Sequence, residues 1–274
     1  VAHRLLAAAA SDVGSYRDLN QDAAFASSWG AAVADGVGGG PSGDLASAAL
    51  VHRLVAGRVT TWTAQALRER ILEANWDLRA HTERDPSLRG MATTFTGVFL
   101  AGAEHLLIAH SGDSRAYRVR DGRFERQTRD DSYVQVLVDR GIIAPEDAAT
   151  HPRRNIITAS LGGGEADVVS VAETELGEGD RWLLCSDGLT DYVPEDDVAR
   201  VMVDRAATPR EAADELVRLA LEAGTLDNVT AVVCDVLSSD ESEDLERVQF
   251  AGAAAGRFAE GLEDDEMWEI EQTG

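Results

Sequence analysis

The 274-residue chain contains no lysine: all 25 of its basic residues are arginine, against 49 acidic residues and a formal net charge of −24. That absence removes the Walker A lysine, the Schiff-base lysine and the lysine that pairs nucleotide phosphates in protein kinases. Cysteine is nearly missing too. Cys185 and Cys234 sit inside the apolar runs WLLC and AVVC, cannot build a disulfide framework, and read as buried reduced thiols of a cytoplasmic protein. No stretch approaches the roughly 18–20 apolar residues of a membrane-spanning helix, so no membrane association is expected. The opening VAHRLLAAAAS is too short for the apolar core of a signal sequence, is followed at once by Asp12, and reads as an edge strand. A surface so poor in positive charge repels a phosphate backbone. It argues against nucleic-acid binding and for affinity toward divalent cations or basic partner segments.

What is present suffices for a sizeable core, since 44% of the residues are hydrophobic. Collagen-like, coiled-coil and wholly disordered chains are excluded. Composition shifts once, near position 238: the remaining residues to Gly274 hold twelve acidic and two basic side chains, −10 of the total charge. The expected organisation is therefore one folded domain over 1–237 and an acidic, disordered tail over 238–274, with FAGAAAG as a low-complexity piece of it. Phe258 and Leu262 sit at helical spacing there, and Met267, Trp268 and Ile270 interleave with Glu and Asp, a composition suited either to folding onto a partner or to solubilising the chain.

Within 1–237, short apolar runs predict strands at 5–10, 23–26, 31–34, 94–101, 104–110, 115–120, 123–126, 168–173, 181–185 and 229–236. Helical periodicity predicts helices at about 44–58, 64–81 and 209–224, the last opened by Pro209. Asp121-Gly122 is a type I′ hairpin signal, and Ala101–Glu104 joins another pair of strands. Hairpin-linked strands with helices in blocks indicate an α+β fold, an antiparallel β-sandwich flanked by helices in α-β-β-α layers.

Four aspartates share one context. Asp35, Asp113 and Asp187 follow the C-terminal ends of apolar strands, and Asp227 precedes the N-terminal end of another. In antiparallel neighbours those positions fall at one end of the sheets, where the carboxylates converge. Such a cluster stays ionised at neutral pH only beside cations, and hard oxygen ligands suit Mg²⁺ or Mn²⁺.

RDLNQD (17–22) adds a fifth element. With DGVGGG (35–40), MATTFTG (91–97), HSGDSRAY (110–117), LLCSDGLTDYV (183–193) and DNVT (227–230) in order, the chain resembles the metal-dependent PPM, or type 2C, serine/threonine protein phosphatases of the bacterial type, over about residues 10–237. The resemblance implies that Asp35 bridges two Mn²⁺ or Mg²⁺ ions, that the Gly36 carbonyl binds one of them, and that Asp187 and Asp227 complete the site. It implies that Asp22 orients the cluster through water, that Asp113 with Asp187 holds a weaker third ion, and that Arg17 clamps a phosphate oxygen. The reaction it implies is direct hydrolysis of phosphoserine and phosphothreonine in proteins by a metal-activated water, without a phosphoenzyme. The implied partners are phosphoprotein substrates and a cognate Ser/Thr kinase system acting on a monomer.

The eukaryotic branch carries histidine in DGHGG where this chain has Val37. His110 ends an apolar strand and reads as a packed supporting histidine. Residues 128–164 resemble the flap of bacterial members; there Tyr133, Val136 and Leu137 lie on a helix stopped by Gly141. Arg153 and Arg154 are either substrate contacts or solvated loop charges, and Asp131 stands where family flaps often carry histidine. Other phosphatase chemistries are excluded. Asp191 and Asp240 occupy the positions six residues after each cysteine where a cysteine phosphatase needs arginine, and D-x-D, D-x-H and G-N-H are absent. The rivals are a PPM-fold pseudophosphatase acting as a regulatory binding module and a hydrolase of small phosphate esters.

Overall fold

A computed structural model of the chain describes residues 2–37, 42–56, 62–239 and 248–257. In chain order its strands are β1 (Ala2–Asp12), β2 (Asp22–Ala26), β3 (Gly30–Val37), β4 (Ala92–Thr93), β5 (Phe95–Ala101), β6 (His105–Ser111), β7 (Arg115–Arg120), β8 (Arg123–Arg126), β9 (Ser170–Glu175), β10 (Arg181–Cys185), β11 (Val229–Ser239) and β12 (Gln249–Gly252). The helices are α1 (Gly43–Val55), α2 (Ala64–Arg84), α3 (Tyr133–Asp139), α4 (Asp187–Thr190), α5 (Glu195–Val203), α6 (Pro209–Glu222) and α7 (Ala253–Gly256).

The strands form two antiparallel sheets, ordered β1-β11-β10-β7-β8 and β12-β2-β3-β5-β6-β9, with β4 paired to the end of β3. Side chains alternate across each strand, and in the central strands both faces are buried. Trp182 and Leu184 of β10 point into the core between the sheets, with Val33, Val98 and Val232 from other strands. Leu183 and Cys185 point to the opposite face, onto α5 and α6. Ala32 and Ala34 of β3 likewise turn outward, toward α1 and α2. These are the α-β-β-α layers expected, and the alanine-rich β1, β2 and β3 keep the facing surfaces small where the sheets meet.

Local chemistry fixes the element ends. α6 starts with Thr208 and Glu211 exchanging hydrogen bonds as a capping box and with Pro209 in the first turn. The β7–β8 hairpin turns through Asp121 (φ 53°) and Gly122 (φ 74°), as a type I′ turn requires. Helix α1 ends at Val55; positions 57 and 58 of the expected helix lie outside the described residues.

Helices α4 and α5 and the segment 248–257 depart from expectation. Helix α5 was not anticipated, because it buries only Val198 and Met202, too few to announce a period. Residues 248–257, expected to belong to a disordered tail, instead form β12 and α7. β12 pairs with β2, and Ala253 and Ala254 enter the outer core against α1. The rest of the expected tail, 240–247 and 258–274, lies outside the described residues. No helix among the described residues is long and apolar enough to cross a membrane.

Candidate active site

Asp22 opens β2 and pairs in register with Asp35 near the end of β3. Asp113 lies in the turn after β6, Asp187 starts α4 one residue beyond Ser186 at the end of β10, and Asp227 immediately precedes Asn228 and β11. Carboxylates from both sheets thus meet at one end of the sandwich. Asp35 experiences repulsion from Asp22, Asp187, Asp113 and Asp227. Burial, reinforced by neighbouring carboxylates, holds Asp35 and Asp187 well above the usual carboxylate range and pushes Asp22 up to about 6 and, with Asp130 and Asp191 beside it, Asp113 to about 7.

Neighbouring motifs hold these side chains in place. Thr94 Oγ1 accepts from the Asp35 amide at 3.0 Å, and Thr93 Oγ1 donates to the Asp35 carbonyl at 3.0 Å, which is the work of the ATTF string. Asn228 Oδ1 accepts from the Gln21 amide at 2.8 Å, while its Nδ2 donates to the carbonyls of Val13 (2.9 Å) and Leu19 (3.1 Å). One side chain thereby closes the loop that presents Arg17. Arg17 Nη2 donates to Asp227 Oδ2 at 2.8 Å, and the guanidinium remains half-exposed at the rim. Two glycines are obligatory. A Cβ on Gly36 would lie 2.4 Å from the Gly43 carbonyl group, and one on Gly188 would lie 1.9 Å from the Asn228 carbonyl oxygen.

The residues present fit divalent cations. Asp22 Oδ1 and Asp187 Oδ1 are buried without a hydrogen-bond partner, a costly arrangement that a cation relieves. Among the described residues no three acidic, histidine or cysteine side chains close tightly enough to hold an ion alone.

His110 is buried, with Nδ1 2.9 Å from Thr96 Oγ1 and Nε2 2.9 Å from the Arg129 carbonyl, and burial lowers its pKa. Both ring nitrogens are thus engaged in packing the strand end. Asp131 Oδ2 accepts from the Gly112 amide at 3.1 Å, tying residues 128–164 to the Asp113 turn. A cavity of about 540 Å³ runs from Asp113 and Asp187 along Asp191 and Arg115 to Arg154 and Asn155. The two flap arginines part company here. Arg154 lines this cavity, its Nε 3.6 Å from Asp191 Oδ2, whereas Arg153 packs over the Tyr133 ring at 5.5 Å. Sequence reasoning missed Asp191, Arg115, Ser186 and Asn228, although each lies within a motif string already singled out.

Fold and site together define a four-layered sandwich protein with a cluster of converging carboxylates at one end and an arginine at its edge. Residues 15–222 match the family described as Protein phosphatase 2C, and the chain belongs to that family. It is 38% identical over 256 residues to the serine/threonine protein phosphatase PstP of Mycobacterium tuberculosis, covering 91% of this chain and 48% of PstP. This chain therefore spans about half the length of that relative. It is 34% identical to the serine/threonine phosphatase Stp of Listeria monocytogenes over 214 residues, 74% of this chain and 82% of Stp. The crystal structure of the PstP catalytic domain in complex with two manganese ions superposes with a TM-score of 0.79 at 37% identity, covering 86% of this chain and all of that one.

Proposed function

We propose that the chain hydrolyses phosphoserine and phosphothreonine in proteins with the help of Mn²⁺ or Mg²⁺. The observation that carries this reading is the convergence of Asp22, Asp35, Asp113, Asp187 and Asp227 at one end of the sandwich beside a rim arginine. Asp35, Asp187, Asp227 and the Gly36 carbonyl would hold two ions, with Asp22 acting through water and Asp113 with Asp187 serving a weaker third. When bound, the ions supply an acidified water as nucleophile and neutralise charge on the phosphoryl oxygens.

The rest falls to the chain. Arg17, always charged and half-exposed, is free to turn from Asp227 toward a phosphate and bind two of its oxygens. Asn228 and the Gly188 contact keep Arg17 and Asp227 in one frame, which orients the bound ester. Arg154 stands along the cavity beside the centre, where the peptide flanking the phosphate would lie. The substrates of this reading are cytoplasmic phosphoproteins written by a Ser/Thr kinase system, and the acting species is a monomer. The homologous manganese-bound PstP structure supports the metal dependence.

Hydrolysis of a phosphothreonine peptide with Mn²⁺, against the same assay in excess EDTA and against small phosphate metabolites, tests the reading. Turnover of the peptide that disappears with EDTA is expected. Full turnover in EDTA would overturn the metal requirement, Mn²⁺ binding without turnover would point to a regulatory binding module, and preference for metabolites would reassign the substrate.

A further inference from the structure

The segment 248–257 lies beyond the residues matched by the family, which end at 222, yet it packs on the back of the candidate site. β12 pairs with β2 so that Gly252 (φ 64°) comes against Asp22: a Cβ there would stand 2.1 Å from the Asp22 carbonyl oxygen. Phe250 stacks on His52 of α1 with ring centroids 4.3 Å apart, and His52 Nε2 lies 2.8 Å from the Ala254 carbonyl. Just past α7, Arg257 Nε donates to Asp44 Oδ2 at 2.6 Å.

Asp44 is 2% exposed, and its other oxygen has no hydrogen-bond partner among the described residues. Its one ion pair there is with Arg257. Asp44 sits in the first turn of α1, directly after Gly43, and that turn has no slack. A Cβ on Gly43 would meet the Gly36 carbonyl oxygen at 2.8 Å. Ser47 Oγ donates to the Gln21 carbonyl at 2.6 Å, and the Gly36 amide donates to the same oxygen at 3.1 Å. The first turn of α1, Gln21 and Gly36 therefore move together or not at all.

We propose that Arg257 is a positioning residue for the metal-binding loop: by pairing with buried Asp44 it holds the first turn of α1 against Gly36, and so fixes the place of the Gly36 carbonyl. This rests on the reading of Asp35 and Gly36 as metal ligands. A buried carboxylate stripped of its partner is strongly unfavourable and draws the chain toward water. The first turn of α1 can reach water only by leaving Gly36. Asp44 is otherwise well placed, since a negative charge favours a helix N-terminus.

The test is calorimetric titration of Mn²⁺ into the metal-free full chain, with phosphopeptide kinetics alongside. Arg257→Gln is expected to lower Mn²⁺ affinity roughly ten- to a hundredfold, the usual effect of removing an outer partner of a metal site. The phosphopeptide KM at saturating Mn²⁺ stays unchanged, and Arg257→Lys keeps most of the affinity. Adding Asp44→Asn to Arg257→Gln restores it, because a neutral amide needs no counter-ion. Unchanged Mn²⁺ affinity in Arg257→Gln, or a loss that Asp44→Asn does not relieve, would reduce the pair to an ordinary structural tie and overturn the proposal. If the wild-type chain binds no Mn²⁺, the underlying metal-site reading fails and this proposal with it.

Discussion

Ser186 Oγ donates to Asp22 Oδ2 at 2.7 Å, joining the end of the strand that leads into Asp187 to the strand that faces Asp35 in the other sheet. The same hydroxyl accepts from the Thr230 amide at 3.1 Å. One of its lone pairs is thus occupied and its proton committed to Asp22. The other oxygen, Asp22 Oδ1, is buried with no hydrogen-bond partner among the described residues. The carboxylate centre is an arrangement that waits for positive charge, and protons and cations compete to provide it.

The competition has a sign. Burial pushes Asp22 up to about 6 and Asp113 to about 7 and holds Asp35 and Asp187 high as well. Free aspartate titrates near ~3.9, so between that value and about 7 the folded metal-free chain binds more protons than the unfolded chain. Stability contributed by these groups is present at the acid end and is lost as pH rises through the window. Mn²⁺ replaces the missing protons. The Mn²⁺-induced rise in Tm should therefore grow from pH 5 to pH 8, measured by thermal melts with and without the ion; a rise that shrinks over this interval would contradict the carboxylate assignments.

Asp35 and Arg17 should fail differently. Asp35 is the carboxylate on which the four others act, so Asp35→Asn removes the charge at the middle of the cluster and should lower kcat by about three orders of magnitude or more. Arg17 lies at the rim, and Arg17→Ala loses a charge-assisted contact of about 1.5–3 kcal/mol. That should appear mainly as a raised KM for phosphopeptides, with less effect on an aryl phosphate that has an easy leaving group. Steady-state kinetics on both substrates separates the two; equal, modest losses would show the roles to be misassigned.

The strands and the carboxylates were legible for one reason: each Asp ends or begins an apolar run, and such runs are read locally. β10, for example, spans Arg181–Cys185 in the structure as in the sequence reading. What stayed hidden depends on distant partners. FAGAAAG has the composition of a linker, and its order comes from Phe250 on His52 and two alanines beneath α1, contacts made about 200 residues away. Ser186 and Asn228 bind partners 164 and more than 200 residues off. Nor does HPRRN distinguish its two arginines. Only the fold places Tyr133 under Arg153 and Asp191 beside Arg154.

Asp113 is set apart from the other ligands by its surroundings. It follows Gly112, whose φ of 110° and close approach to Thr94 hold the turn against the residue that accepts from the Asp35 amide. Besides Asp35 and Asp187, its charged neighbours include Asp130, Asp191 and Arg115. Arg115 is bound to Asp130 at 2.8 Å, and Arg154 stands near Asp191, so among the described residues no side-chain cation is given over to Asp113. An ion held between Asp113 and Asp187 has few protein ligands and keeps most of its water, and such a site is weak because affinity grows with the carboxylates that replace water. Asp113→Ala should leave two tightly bound Mn²⁺ ions per chain in calorimetry and remove the weak one. Turnover of phosphopeptides should fall and its dependence on millimolar Mn²⁺ should flatten. Loss of the tight sites would make Asp113 a ligand of the central pair; unchanged binding and unchanged turnover would make it an ordinary turn aspartate.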